Sequence, residues 1–473
     1  MTEAFQDCDV LVIGGGPAGA MLAGLLARRG RTVLLCDDGH RRHPLPAETI
    51  LPAALAAFAR IGVADELRAL TSEGALRHGA IWEDAMLQWR AAEPAGRVVL
   101  RGRFDAGLRA FARRCGARVL PRAKVPGPLA DAVLAAGEGE VTVHDGEGRV
   151  ARVRARGIAI AAGARGVQRL LPIATLATRP ANALLGVVGD APAAARDAEL
   201  VEALPEGWLW SIPLQDGRLG VAVFTEPALL IRDGTRTVLR RLLAAASGPA
   251  RELGIADLER AARVQPALRA TAARVFLLGD AASTIDPLAS QGLEKAIAAA
   301  EDCAAALDTL LDEPALRDPL LAHRARWEAE LWHAHAKSTV EQHARARFAS
   351  EPFWRERSQA PATTAPLTLR PDQHLIARRD LLPAPAVRRR GERFVREDGV
   401  TAPTGEAIAR VAGVPILPLL AAFAQPHALE HGIDRAGLDP RLYVLPRAQV
   451  REATRELVRR GLLTAIEATR GSR

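Results

Sequence analysis

The stretch DVLVIGGGPAGAMLAGLLARRGRTVLLCDD, residues 9–38, decides the fold of this chain. Residues 9–13 are apolar and mostly β-branched, which is typical of a strand buried on both faces. Residues 20–29 have the composition of a helix, and residues 31–36 form a second apolar run. The order of strand, glycine turn, helix and strand predicts a βαβ unit, and therefore an α/β fold built on a parallel sheet.

The turn of this unit carries the spacing G-x-G-x-x-G on Gly14, Gly16 and Gly19, with Pro17-Ala18 inside it. Gly14 permits the tight turn, Gly16 lets the backbone approach a pyrophosphate, and Gly19 lets the helix pack closely on the strand. The N–H groups at the start of the helix face the phosphates, and Asp37 is placed to accept hydrogen bonds from the ribose hydroxyls. The motif predicts a Rossmann-like dinucleotide site, and alone it leaves NAD and FAD both open.

Composition bounds the class of protein. The chain has 473 residues, 49% of them hydrophobic and 25% charged, which suits two or three globular domains and excludes a disordered or collagen-like protein. The net charge of +8 is dispersed, so we expect no nucleic-acid partner. The N-terminus lacks the basic region of a signal peptide, and glycines and a proline interrupt the apolar run 10–27. We therefore expect a cytoplasmic protein with no membrane partner.

The cysteines point to no metal site. Cys8, Cys36, Cys115 and Cys303 show no CxxC pair and no histidine at metal-ligand spacing. We interpret all four as buried thiols of a protein kept in a reducing compartment.

A second segment, residues 274–303, predicts a buried strand, a loop and a helix that begins near Gly292. Together with the first motif it resembles the two cofactor boxes of the FAD-dependent monooxygenase and flavin-dependent halogenase superfamily, although no second glycine follows Gly292. The resemblance implies that Asp280 holds the ribityl chain of FAD and that Pro287 lies beside the isoalloxazine ring. It also implies that the N–H groups around Gly292 and Leu293 face the flavin N1 and C2 carbonyl, where a helix N-terminus favours negative charge.

A third segment supports the same family. RGRFDAGLRAFARRCGARV, residues 101–119, resembles the family's helix with the pattern R-x-x-x-D-x-x-L, which implies that Arg101 lies near the flavin. Residues 159–166 resemble the strand and turn that follow it. The resemblance extends over residues 7–357 and implies a group A-like flavoprotein.

The domain organisation follows from these boxes and from shifts in composition. We predict a Rossmann-like FAD-binding domain, an interleaved mixed-sheet substrate domain, a linker rich in Pro, Thr and Ala, and a small C-terminal α+β module. Their bounds are 1–170 with 265–357, 171–264, 358–371 and 372–473, respectively.

Within the C-terminal module, residues 388–403 predict a ribbon that turns at Asp398-Gly399, and residues 405–424 and 447–464 predict helices. This pattern suggests a winged-helix-like or peptide-docking module. A DNA-reading winged helix and a helical cap or dimer contact remain open as alternatives.

Further segments indicate the halogenase-like branch of the superfamily. Trp208 to Pro213 read W-x-W-x-I-P, and residues 343–357 and 46–55 resemble two other segments of that branch. On a strand, Trp208 and Trp210 share one face, so we predict that both line the substrate pocket.

The groups that handle hypohalous acid are nevertheless missing from the sequence. The resemblance places a lysine within residues 75–82, where Arg77 and His78 stand, and a glutamate at the position of Ala289. Without them, the resemblance implies a monooxygenase whose oxidant is a flavin C4a-hydroperoxide. Such chemistry needs at most one protein base, and the candidates are His78, Glu48 and His43, histidine being the side chain that titrates near neutral pH.

We therefore predict an FAD-dependent monooxygenase that hydroxylates an electron-rich aromatic ring. The substrate suggested by the resemblance is a tryptophan side chain in a peptide or protein, as in the flavin monooxygenases of tryptophylquinone cofactor biogenesis. No second G-x-G-x-x-G with a following acid is present, so we expect an external electron donor, either NAD(P)H or a flavin reductase. A halogenase, a small-molecule aromatic hydroxylase and a flavoprotein reductase of isoprenoid double bonds remain open, as does a peptide-binding chaperone that uses the flavin only structurally.

Overall fold

The computed structural model describes residues 4–39, 47–50, 52–64, 68–71, 77–89, 96–177, 180, 182–190, 197–214, 216–253, 258–359 and 369–466. The chain divides into two compact units. The larger unit comprises Met1–Leu311 and Ala325–Pro361, and the smaller unit comprises Asp312–Arg324 and Ala362–Arg473.

Helices of the described residues are numbered in chain order. They are α1 (Pro17–Arg28), α2 (Pro52–Arg60), α3 (Arg101–Arg114), α4 (Asp131–Ala136), α5 (Gly163–Leu170), α6 (Pro227–Asp233), α7 (Thr235–Ala245), α8 (Gly292–Asp312), α9 (Arg317–Ala344), α10 (Pro352–Ser358), α11 (Ile416–Ala422), α12 (Leu429–Ala436), α13 (Pro440–Tyr443) and α14 (Arg447–Arg459). The boundary between the two units falls within α9. Its residues up to Arg324 belong to the smaller unit, and those from Ala325 onward belong to the larger unit.

Strands are numbered in the same way. They are β1 (Ala4–Ile13), β2 (Val33–Asp37), β3 (Ala47–Ile50), β4 (Arg77–Ile81), β5 (Gln88–Trp89), β6 (Arg97–Leu100), β7 (Arg118–Pro121), β8 (Gly139–His144), β9 (Val150–Ile160), β10 (Ala174–Leu176), β11 (Asn182–Asp190), β12 (Ala198–Leu204), β13 (Gly207–Pro213), β14 (Arg218–Thr225), β15 (Leu258–Val264), β16 (Ala267–Ala270), β17 (Phe276–Leu277), β18 (Ser283–Thr284), β19 (His374–Ala377), β20 (Pro383–Arg390), β21 (Arg393–Thr401), β22 (Ala407–Ile408), β23 (Arg410–Val411), β24 (Val414–Pro415), β25 (His427–Ala428) and β26 (Leu463–Ile466).

A parallel sheet forms the base of the larger unit. Its strand order is β17-β9-β1-β2-β7, and β8 adds to β9 in the antiparallel direction. The βαβ unit predicted from the sequence is confirmed, because β1 pairs with β2 in parallel with Val10 opposite Val33, and α1 connects them. Val10, Leu11 and Val12 have no exposed surface, as expected for a strand covered on both faces.

A mixed sheet of seven strands makes the second layer of the larger unit. Its order is β15-β11-β14-β13-β12-β4-β5, with only the β12–β4 pair parallel. β13 and β14 pair in the antiparallel direction, and Asp216-Gly217 lies in the connection between them. Leucines and valines of α7 cover one face of this sheet, while aromatic side chains cover the other.

The smaller unit has its own apolar core, to which Leu375, Ile416 and Leu457 contribute without exposed surface. Its sheets have the orders β20-β21-β22, β25-β19-β26 and β23-β24. The predicted ribbon exists, but the turn at Asp398-Gly399 is wrong because the chain turns at Gly391, whose φ is +63°. Gly399 lies inside β21, where a Cβ atom would come within 2.2 Å of the carbonyl oxygen of Ile408.

The helix predicted over residues 405–424 is largely wrong. Only Ile416–Ala422 is helical, and three short strands precede it. Ala412 and Gly413 both have positive φ, which breaks a helix and forms the tight turn between β23 and β24. The helix predicted over 447–464 forms as α14, which ends at Arg459.

Two cysteine predictions need correction. Cys36 and Cys303 are buried, but Cys8 and Cys115 are only partly buried, and all four are free thiols. No helix in the described residues is long and apolar enough to cross a membrane.

Candidate flavin site and aromatic face

A cavity of about 1,050 Å³ lies where the carboxyl ends of the parallel strands meet the N-termini of α1 and α8. It combines backbone from the glycine turn with charged side chains from β3, α3 and the loop after β17. Its lining residues are Ile13, Gly14, Gly15, Gly16, Pro17, Ala18, Cys36, Asp38, Glu48, Arg101, Asp105, Ala123, Lys124, Val125, Pro126, His144, Ala161, Ala162, Gly163, Ala164, Arg165, Gly166, Arg169, Leu170, Gly279, Asp280, Gly292, Leu293 and Ala296.

The three motif glycines occupy different surroundings. Gly14 has φ +113°, and a Cβ atom there would lie 2.4 Å from the carbonyl oxygen of Ala161. A Cβ atom on Gly19 would lie 1.9 Å from the carbonyl oxygen of Gly14, so Gly19 is needed for close packing and does not line the cavity. Gly16 has open space where its Cβ would be and faces the cavity. This cradle fits a pyrophosphate that approaches the backbone.

The acid at the end of β2 is engaged by partners within the protein. Asp37 is buried, forms an ion pair with Arg109 at 3.1 Å and accepts a hydrogen bond from Gly39 N at 3.2 Å. Arg109 also donates to the carbonyl oxygen of Gly15 at 3.3 Å, so it ties the acid to the glycine turn. The cavity is lined by the neighbouring Asp38 and not by Asp37.

Arg101 connects α3 to the cavity wall. Its guanidinium forms an ion pair with Asp105, one turn further along α3, at 3.2 Å, and a second one with Glu48 of β3. Burial disfavours its charged form, but the attraction of Glu48 and Asp105 outweighs that cost and holds the pKa of Arg101 above its ordinary value. The arrangement holds the guanidinium at the cavity wall between two acids and engages Glu48 in an ion pair.

The loop after β17 carries the residues implied by the second cofactor box. Asp280 is exposed and lines the cavity, as do Gly292 and Leu293 at the N-terminus of α8. Pro287 begins a single 3-10 turn and is not part of the cavity lining. Asp286 caps this turn by accepting a hydrogen bond from Leu288 N at 3.0 Å.

A polar cluster lies on the aromatic face of the seven-stranded sheet. Glu199 of β12 is buried and accepts hydrogen bonds from Trp210 Nε1 at 2.8 Å and from Thr49 Oγ1 at 2.6 Å. His78 of β4 lies opposite Glu199 in the strand pairing, with Nδ1 3.3 Å from Glu199 Oε2. His43 lies outside the described residues.

The two tryptophans of the W-x-W-x-I-P strand have different environments. Trp208 is 2% exposed and stacks on Phe224 with ring centroids 3.9 Å apart. Trp210 is only partly buried. Trp208, Phe224, Trp82 and Trp354 belong to one apolar group, which we call the aromatic cluster.

Glu199 is the main residue of this site that sequence reasoning missed. The stretch AELVEAL of β12 places two acids, Glu199 and Glu202, inside an otherwise apolar run, and both are buried. A buried carboxylate requires partners, so acids within an apolar strand were the available signal. Strand order was needed to show that His78 and Trp210 are those partners.

All of the chain's lysines lie among the described residues and outside the aromatic cluster. Lys124 lines the cavity, Lys295 is buried beside Glu328, and Lys337 is exposed. Arg77, within the segment 75–82 where the resemblance places a halogenase lysine, forms an ion pair with Asp197 at 2.8 Å. No group of three or more His, Cys, Asp or Glu side chains within the described residues could hold a metal ion.

Comparison with known families decides which dinucleotide the cavity binds. A family model described as an FAD binding domain matches residues 7–337. The chain belongs to this family. It is therefore an FAD-binding protein, and the glycine cradle, the exposed Asp280 and the N-terminus of α8 are the parts of the cavity that suit FAD.

Curated relatives are menaquinone reductases from two mycobacteria. The enzyme from Mycolicibacterium smegmatis is 31% identical over 145 residues, which cover 30% of this chain and 32% of that protein. The match thus spans about a third of this relative's length. The enzyme from Mycobacterium tuberculosis is 27% identical over 352 residues, covering 67% of this chain and 81% of that protein.

Solved structures with the same fold extend over nearly the whole chain. The peptidyl tryptophan dihydroxylase QhpG, essential for tryptophylquinone cofactor biogenesis, has a TM-score of 0.68 and 22% identity over 96% of this chain and 100% of its own. The flavin-dependent halogenase CmlS has a TM-score of 0.69 and 20% identity over 99% and 97%, respectively. These likenesses establish the shared fold.

Proposed function

We propose that this enzyme hydroxylates an electron-rich aromatic ring and that the ring is a tryptophan side chain of a peptide or protein. The observation that carries the proposal is the cluster of Glu199, His78 and Trp210 on the aromatic face. Leu288, which follows Pro287 in the loop expected beside the isoalloxazine ring, packs against the aromatic cluster. The face therefore adjoins the loop of the second cofactor box.

The protein orients the substrate ring, excludes water from it and provides a proton acceptor. Reduced FAD, when bound, supplies the electrons for activating O₂, so that one oxygen atom enters the ring and the other leaves as water. Trp210 keeps an exposed part of its indole that can stack on a substrate ring. The aromatic cluster behind it excludes water, which limits loss of the oxidising equivalent as peroxide.

His78 is the candidate proton acceptor. Its Nδ1 lies 3.3 Å from Glu199 Oε2, and its Nε2 accepts a hydrogen bond, so Nε2 is the ring nitrogen that presents a lone pair. Nε2 accepts only a long hydrogen bond, at 3.3 Å, from Gly96 N, which a substrate N–H can displace. Glu199 is a positioning residue, because it orients both His78 and Trp210. Glu48 is a weaker candidate, since its carboxylate is engaged by Arg101.

The smaller unit is the reason for proposing a substrate larger than a free amino acid. It has a core of its own, and none of its described residues lines the cavity. The shared fold with a peptidyl tryptophan dihydroxylase extends over a length that includes this unit. Binding energy from the flanking peptide can hold a ring in place, which free tryptophan cannot provide.

The mass of a candidate substrate after turnover tests the proposal. The FAD-loaded enzyme is incubated with O₂, chloride and either NAD(P)H or a flavin reductase as the external donor, together with tryptophan-containing peptides, phenylalanine-containing control peptides or free tryptophan. We expect tryptophan peptides alone to gain one or two oxygen atoms. Chlorine in the product would establish a halogenase, and oxygen only in free tryptophan would overturn the peptide substrate.

A second candidate function is reduction of an isoprenoid double bond. Two menaquinone reductases among the curated relatives favour it, one of them matching over 67% of this chain. The same assay distinguishes the two functions, because a reductase adds two hydrogen atoms to its substrate and works without O₂. Turnover of a polyprenyl quinone under anaerobic conditions, with no oxygen added to any peptide, would establish the reductase.

A further inference from the structure

The loop from Gly279 to Thr284 follows β17 and precedes α8, whose N-terminus lines the cavity. Three buried side chains from different elements donate hydrogen bonds to this loop. They are Lys295 of α8, Arg269 of β16 and Trp332 of α9. Buried carbonyls need such partners, so these donors fix the path of the loop.

Lys295 donates two of these hydrogen bonds. Its side chain is 2% exposed, and Nζ donates to the carbonyl oxygens of Gly279 at 3.1 Å and Ser283 at 2.8 Å. Glu328 balances the ammonium at 3.0 Å and also accepts from Ser283 Oγ at 2.6 Å. One buried ion pair therefore holds both ends of a five-residue loop segment.

Arg269 and Trp332 complete the set around the same segment. Arg269 Nη1 donates to the carbonyl oxygen of Asp280 and to Thr284 Oγ1, both at 3.0 Å. Trp332 Nε1 donates to the carbonyl oxygen of Thr284 at 3.1 Å. Buried donors thus hold the backbone at Asp280, while the residue itself is exposed and lines the cavity.

We propose that Lys295, paired with Glu328, is a positioning residue for FAD that sets the Asp280 carboxylate at the ribityl end of the cofactor. Lys295 itself does not line the cavity, so it acts through the loop. Buried ion pairs contribute little net stability compared with apolar residues of the same size, but they define one conformation of the groups they contact. Placing such a pair under a cofactor-binding loop therefore favours precise placement of that loop over general stability.

Three variants of the apoprotein test this role. Lys295→Met removes the donor, Lys295→Met with Glu328→Gln removes both charges, and Lys337→Met is the matched control at an exposed lysine of α9. The measurements are the FAD dissociation constant by fluorescence titration, the ADP dissociation constant by calorimetry, and the Tm of the apoprotein.

We expect the double variant to recover most of the Tm that Lys295→Met loses, because no charge is left buried alone. Its FAD affinity should stay at least about tenfold below that of the wild type, because the carbonyls of Gly279 and Ser283 still lack their donor. ADP affinity should not change, since ADP has no ribityl chain and needs only the glycine turn. Lys295→Arg should restore part of the FAD affinity.

The outcomes separate positioning from simple stability. Equal losses of FAD and ADP affinity, or wild-type FAD affinity in the folded double variant, would overturn the proposal. The readout is cofactor binding, so its result does not depend on whether the enzyme hydroxylates, halogenates or reduces its substrate.

Discussion

Gly19 packs against the carbonyl oxygen of Gly14 so closely that a Cβ atom on Gly19 would lie 1.9 Å from it. Gly16, between them in sequence, has no atom within 4 Å of its own Cβ position and faces the cavity. The same motif therefore contains one glycine required by the fold and another whose open Cβ position faces the cavity.

This difference predicts opposite behaviour for two alanine variants. Gly19→Ala should lower the Tm of the apoprotein, because α1 must move away from the turn. Gly16→Ala should leave the apoprotein Tm near that of the wild type and weaken FAD binding, because the methyl group occupies the space that a pyrophosphate approaches. Thermal denaturation and FAD titration of both variants check this. A Gly19→Ala variant with the Tm of the wild type would contradict the close contact between Gly19 and the carbonyl oxygen of Gly14.

The two tryptophans of β13 should differ in the same way. Trp208→Ala creates a void in the aromatic cluster and should cost about 3–5 kcal/mol of stability. Trp210→Ala should cost less, because Trp210 is partly exposed, but it should divert the consumed reducing equivalents to hydrogen peroxide. Peroxide release per NAD(P)H consumed, measured beside Tm, distinguishes them. Unchanged coupling in Trp210→Ala would remove that residue from the substrate site.

A pH-dependent effect is expected at Glu294. Burial raises the pKa of this carboxyl above its ordinary 4.5, and its Oε2 has no hydrogen-bond partner among the described residues. A raised folded-state pKa means that its contribution favours folding at low pH and is lost as pH rises through that value. Glu294→Gln should therefore raise the apoprotein Tm at pH 8 and change it little at pH 4. A lower Tm at pH 8 would show that the carboxylate has a stabilising partner.

Gly399 offers a test of the smaller unit. In Gly399→Ala the new Cβ would approach the carbonyl oxygen of Ile408 at 2.2 Å, so β22 must separate from β21. Gly437→Ala is the control, because its nearest contact would be an ordinary 3.4 Å. We expect Gly399→Ala to reduce turnover of a tryptophan peptide while FAD affinity stays at the wild-type value. Loss of FAD binding in this variant would show that the smaller unit also supports the flavin site.

Local sequence was sufficient where the chain forms a contiguous motif. The turn from Gly14 to Gly19 and the βαβ unit around it follow from residue spacing, because strand, turn and helix are adjacent in sequence. The environment of Asp37 could not be predicted from residue spacing, since Arg109, its ion-pair partner, lies far along the chain in α3. The same limit applies to Glu199, whose three partners lie on three other strands.

Glycines misled the prediction in the smaller unit. Asp398-Gly399 has the composition of a turn, yet Gly399 is required inside a strand by the close approach of another backbone. The turn at Gly391 lies between arginines and a glutamate, without the Asn or Asp that marks most such turns. Composition alone does not distinguish a glycine needed for φ from a glycine needed for space.

The smaller unit is built from two separate segments of the chain, Asp312–Arg324 and Ala362–Arg473. This arrangement constrains the order in which the protein can fold during synthesis. Asp312–Arg324 leaves the ribosome before residues 362–466, to which it is tied by an ion pair between Asp312 and Arg393 and by ring contact between His323 and Phe394. At about 5–20 residues per second, this segment waits about 4–16 seconds for Arg393 and Phe394. The start of α9 must therefore remain unassembled while the sheets before it can already form, and this interval is when a nascent chain is most exposed to misassembly and to chaperones.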